Sequence, residues 1–231
     1  MSTSPVVLNN ATEIRFVHAR RVWDSRGRPT VEAEVRLAGG VSGRAIVPAG
    51  ASRGTREALE LRDGGNALGG LDVMKAVSHV NGEISRAVLG LPADDQEAID
   101  ERLIDLDESP SKSRIGANAT LAVSMAVAHA AAAAHGVPLY HYLGGADATM
   151  LPLPQIQIFG GGAHAGRRVD IQDFMVVCPA AGGFAQALED GTARSPEDRA
   201  ESAAFIRAEA ARLRELVRDL QQLTWLDLDP P

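Results

Sequence analysis

Residues 30–37 alternate strictly. Val31, Ala33, Val35 and Leu37 fall on one face, and Thr30, Glu32, Glu34 and Arg36 on the other. A period of two is the mark of a strand with one face in a core and one toward solvent. Such a strand needs neighbours, and the flanking segments supply them. Ile14 to Trp23 is rich in β-branched and aromatic residues, and Ser42 to Val47 follows a Gly39-Gly40 turn. Three consecutive strands with short connections predict an antiparallel meander.

The pattern then becomes helical. Thr55 to Arg62 reads as a helix ending at Gly64-Gly65, and Leu71 to Leu89 as a second with a weak point at Gly82. Asp95 to Leu106 follows Pro92, with Asp94 placed to cap it. Ala119 to His135 is the strongest helix, with Asn118 as its expected cap, Gly136 at C′ and Pro138 barring continuation. Strands followed by helices predict an α+β unit over residues 14–145, after a flexible stretch 1–13. Leu151 to Phe159 and Asp170 to Cys178 are further strand candidates, separated by Gly160-Gly161-Gly162. Residues 151–190 form this second region. From 191 to 231 the composition shifts. Ile206, Leu213, Leu216, Val217, Leu220 and Leu223 recur three and four apart, which predicts an amphipathic helical tail.

Bulk properties exclude some functions. The net charge is -7 and there is no basic block, which argues against nucleic acid. A single cysteine, Cys178, permits no disulfide within the chain and fits a reducing compartment; its place in an apolar run reads as an inert thiol. The first ten residues lack the layout of a signal peptide. The alanine run, interrupted by His129 and His135, reads as too short for a bilayer span. No membrane partner and a cytoplasmic location are therefore expected. Lysine is scarce: Lys75 and Lys112 are the only two.

Four segments resemble the enolase family: Asp24-Ser25-Arg26-Gly27-Arg28-Pro29-Thr30-Val31-Glu32; Val47-Pro48-Ala49-Gly50-Ala51-Ser52-Arg53-Gly54 with Glu57 to Gly64; Lys112-Ser113-Arg114-Ile115-Gly116-Ala117-Asn118-Ala119; and Gly161-Gly162-Ala163-His164-Ala165 with Val169 to Met175. They occur in the family's order and span about four-fifths of the chain. The resemblance implies an N-terminal α+β cap domain, then an enolase-type barrel. It also implies magnesium-dependent dehydration of 2-phosphoglycerate to phosphoenolpyruvate, the step of glycolysis catalysed by phosphopyruvate hydratase. Such chemistry needs cations to hold a doubly charged ene-diolate, a lysine base and an acid.

By resemblance, Ser52 is the mobile-loop serine that ligates the second Mg2+, through hydroxyl and backbone oxygen. His164 is the active-site histidine near the substrate phosphate, catalytic and substrate-binding. Asp173 stands where the family has a catalytic glutamate, and Gln172 precedes it as a substrate-binding residue. A homo-oligomer is implied too, although the family's partner charges for the strand region of Arg26 and Glu32 are absent. Other departures are visible. Asp173 is a methylene shorter than glutamate, Gln157, Gly160 and Arg28 replace asparagines, and Arg53 replaces a threonine. Arg167-Arg168 beside His164 reads either as a phosphate clamp or as a solvated turn.

Length sets the last expectation. A (β/α)₈ barrel takes roughly 250 residues, and about eighty follow Met150. The expected architecture is thus a cap domain, an incomplete barrel start and a helical tail. The family's base lysine and carboxylate metal ligands have no counterpart, since no lysine follows Lys112. Three readings stay open: an enolase-family lyase, a non-catalytic enolase-derived chain with an association helix, and the product of a disrupted reading frame.

Overall fold

In the computed structural model, the described residues are 10–50, 54–162, 166 and 168–183. The chain divides into two compact units, Met1–Met150 and Leu151–Pro231. The expected tail helix lies outside the described residues.

Unit one begins with the meander. Strands β1 (Ile14–Trp23), β2 (Pro29–Leu37) and β3 (Ser42–Val47) form one antiparallel sheet in chain order. Two turns fix the register. At the first, the Asp24 carboxylate accepts the backbone N–H groups of Arg26 and Arg28, at 2.8 and 2.9 Å. The Arg28 N–H contributes most to holding that carboxyl below its ordinary range. At the second, Gly40 takes the left-handed conformation, and the Leu37 N–H donates to Val41 O. The register sets Ala19, Ala33 and Ala45 in one row across the three strands, with Val17, Val35 and Gly43 in another.

These small residues set how closely a helix can approach. Helix α4 (Ala117–Ala134) lies on them, burying Ala119, Ala122, Val123, Ala126, Val127, Ala130 and Ala131 in the core. The approach is closest at Gly43, where an added Cβ would stand 2.2 Å from Ala130 N and 2.3 Å from Ala126 O. By length and a mean hydropathy of 1.3 this helix qualifies as a membrane span. The expectation that the alanine run is too short for one therefore fails on length. Its apolar surface is instead used inside the domain, where 56% of the stretch is buried. Gly136 ends it with left-handed φ: its N–H donates to Ala133 O and that of Val137 to Ala132 O, the paired bonds of a Schellman motif.

The opposite face of the sheet carries charge. Glu32 pairs with Arg20 and Arg44, and Glu34 with Arg20 and Arg36. The Arg36 guanidinium also covers the Phe16 ring at 4.6 Å.

Of the remaining helices, the first segments lie against β1 and the later ones pack on α4. Met74–His79 (α1), a π turn at Val80–Ile84, and Ser85–Val88 (α2) replace the single helix expected over Leu71 to Leu89. The π turn falls at Gly82, the predicted weak point. It sends Asn81 to the free edge of β1, where its side chain accepts from Ala19 N–H at 2.6 Å and donates to Ala19 O at 3.0 Å. Helix α3 (Gln96–Asp107) is capped by Asp95, which accepts from Ala98 N–H, and not by Asp94. Asp94 instead faces His135 Nε2 at 2.9 Å. A short α5 (Leu139–Gly144) follows Pro138.

Two further expectations fail. Thr55 to Arg62 is not a helix, because its backbone groups find partners elsewhere: Leu59 N–H donates to Ser111 O, and Leu59 O accepts from Ala117 N–H. Asn118 is not the α4 cap; Gly116 holds that position, with φ of 99°, and Asn118 lies within the helix.

Asp107 organises the loop between α3 and α4. It is 2% exposed and accepts from Ser109 Oγ, from Ser109 N–H and, at 2.7 Å, from Ile115 N–H. Burial alone would raise its pKa. The hydrogen bonds from Ser109 and Ile115 outweigh it and hold the carboxyl below its ordinary value.

Two predictions follow from this packing. Gly43→Ala should destabilise the chain by about 1–3 kcal/mol, as overpacking does, read as a lower denaturant midpoint; an unchanged midpoint would contradict the close contact. A carboxyl lowered on folding adds stability above its unfolded pKa and loses it as pH falls through the folded value. Unfolding free energy should therefore drop below about pH 4, less steeply in Asp107→Asn than in the unmodified chain. An identical acid limb would remove Asp107 from the account.

Candidate functional site

The site residues predicted from sequence fall on two stretches, one in each unit. The first is the loop after β3. Its described flanks are held firmly. Thr30 Oγ1 donates to Val47 O, and the Arg26 guanidinium donates to Ala49 O. On the return side, Gly54 N–H donates to the Glu57 carboxylate at 2.8 Å. Ser52 itself lies outside the described residues.

The second stretch is a hairpin in unit two. Strands β4 (Ile156–Gly160) and β5 (Asp173–Val176) pair antiparallel, with Gly160 opposite Asp173 and Gln157 opposite Met175. β4 starts later than the expected Leu151, after Pro152 and Pro154, which supply no N–H for a ladder. Phe159 and Phe174 pack edge-tilted across the pair with centroids 5.5 Å apart.

The connection is drawn tight where it joins the strands. Gly161 N–H donates to Gln172 O at 2.6 Å, and Gly162 N–H to Val169 O at 2.8 Å. Gly161 is a steric requirement, since a Cβ there would lie 1.9 Å from Ile171 O. Asp173 is thereby fixed at the first position of β5, half-buried, and its Oδ1 accepts from Gln157 Nε2. Gln172 is exposed just before it, and Arg168 is exposed in the connection. His164 and Arg167 lie outside the described residues.

The hairpin thus brings Asp173, Gln157 and the glycines Gly160 to Gly162 together, with Gln172 adjacent. The Gln157–Asp173 contact was not foreseen as a pair. Both residues were visible as positions of interest, but nothing in their spacing gives the strand register that joins them.

The chemistry available is that of a single oriented carboxylate beside an amide. A hard cation such as Mg2+ takes several oxygen ligands, and the described residues contain no group of three or more His, Cys, Asp or Glu able to hold one. Neither lysine lies in this unit. Lys75 Nζ donates to Asp63 O at 3.0 Å, and Lys112 Nζ approaches Ile104 O at 3.4 Å.

A three-stranded meander backed by helices, followed by a separate two-stranded hairpin, defines an α+β domain with the start of a second unit. Two family models match the chain: Enolase, N-terminal domain, over residues 14–143, and Enolase, C-terminal TIM barrel domain, over residues 148–195. The chain belongs to the enolase family. Its match to the barrel is short and partial, so these residues hold an incomplete barrel.

Gly161→Ala should break the hairpin. Amide exchange across β4 and β5 should rise at least about tenfold, the effect of losing roughly 1.4 kcal/mol, while β1 to β3 stay protected. Unaltered protection in β4 would show that the turn tolerates a side chain.

Proposed function

We propose that this chain descends from a magnesium-dependent hydro-lyase acting on 2-phosphoglycerate, and that these residues alone do not turn that substrate over. The supporting observation is the placement of lysine. The family's base is a lysine, and the stretch matching the barrel, residues 148–195, has none. Removing a positioned base costs on the order of 10²–10⁴ in rate.

In this reading Asp173 is the acidic group, oriented by Gln157, and Gln172 and His164 meet the substrate. Ser52 is a metal ligand. Asp173 reaches less far than the family's glutamate, and misplacement of about an ångström costs roughly a hundredfold. The described residues do not form a magnesium site by themselves. The base and the cation-binding oxygens would have to come from outside the groups described. A cytoplasmic location and self-association complete the proposal; the lone cysteine and the family membership support them.

The test is ultraviolet absorbance of phosphoenolpyruvate with purified chain, 2-phosphoglycerate and Mg2+. No rise above background is expected. Steady turnover that scales with protein concentration would overturn the reading and return the chain to the active lyases.

A further inference from the structure

The return arm of the loop after β3, residues 54–62, has no regular secondary structure, yet its backbone is pinned at Leu59 and Leu61. We infer that Asn118 is a positioning residue that fixes this arm, and with it the point where the loop re-enters the domain. Its side chain accepts from Leu61 N–H at 3.0 Å and donates to Leu61 O at 3.1 Å. Those are the two bonds a neighbouring strand would supply, provided here by one amide on a helix. Asn118 is 2% exposed and makes no cap bond to its own helix. Neither apolar packing nor capping accounts for an asparagine at this position, whereas the reciprocal pair with Leu61 does.

The surroundings are shaped for that pair. Gly116 leaves the space it needs: a Cβ there would come within 2.5 Å of both Asn118 Oδ1 and Leu61 Cβ. One residue beyond Leu61, the Arg62 guanidinium donates to Pro29 O and Leu71 O, which ties the far end of the arm to the sheet. The outgoing side of the same loop is held by Arg26 on Ala49 O. The loop therefore leaves and returns through fixed points, and Asn118 sets the returning one. Its functional consequence rests on the reading of Ser52 as a metal ligand; the anchor itself does not.

The experiment is site-resolved amide exchange on the full chain, comparing Asn118→Ala with Val123→Ala, a core truncation in the same helix. Asn118→Ala should speed exchange at Leu59 and Leu61 about tenfold more than at Ala33 and Val35, because it removes buried hydrogen-bond partners locally. Val123→Ala should raise all four by a common factor. Asn118→Asp keeps the acceptor and loses the donor, so it should fall between. Gly116→Ala should reproduce the local signature, and it serves if Asn118→Ala does not fold. Exchange at Leu61 that merely tracks the sheet in Asn118→Ala and Gly116→Ala would overturn the inference. The exchange readout involves no magnesium, so the anchor stands or falls without reference to the Ser52 reading.

Discussion

The first unit depends on how closely one helix can lie on one sheet. Backbone of α4 reaches the position where a side chain on β3 would begin, and the missing Cβ at Gly43 permits that approach. The sheet turns a row of alanines toward the helix, and the helix answers with alanines of its own. Small residues give up hydrophobic area per residue, but they lose little side-chain entropy on burial. Dense contact between two backbones compensates for the missing bulk. A core built this way tolerates enlargement poorly.

The start of α4 is held by a second set of contacts, together with the irregular segments beside it. Gly116, Asn118 and the Asp107-centred loop form one continuous set of hydrogen bonds reaching residues 54–62. A loop whose stems are tied to a helix start and to a sheet is supported by the least deformable parts of the domain. The second unit offers a smaller version of this arrangement: a glycine pressed against a carbonyl holds a two-stranded hairpin in register.

Much of the fold was legible because it obeys local rules. β1 and β3 run as alternation and composition indicated, and β2 begins one residue earlier, at Pro29. Gly136 ends α4 as a C′ glycine should. What escaped reading is tertiary in origin. Thr55 to Arg62 has acceptable helix formers, but its amides are satisfied by Ser111, Ala117 and Asn118, all distant in sequence. Asp94 and Asp95 are equivalent as letters; only the position of His135 separates their roles. At the candidate site, Gln172 and Asp173 are singled out by family resemblance alone. The partnership of Asp173 with Gln157 was not readable, because strand register with a bulge between Gln157 and Phe159 leaves no trace in spacing.

The π turn in the first long helix has a consequence for how this domain can vary. It accommodates one more residue than an α-helix would over the same span, and that surplus lets Asn81 face β1 while Ile84 and Val88 remain in the core. Deleting one residue there would restore ordinary winding. The two halves of the helix would keep their relative orientation, because the π turn takes up the extra residue within a single turn. Ile84 and Val88 would stay inward, and the loss would fall on Asn81, whose reach to the strand depends on the surplus residue. An insertion site that looks permissive, centred on a glycine with open space around it, is therefore a fixed length: the helix acts as a gauge between sheet edge and interior.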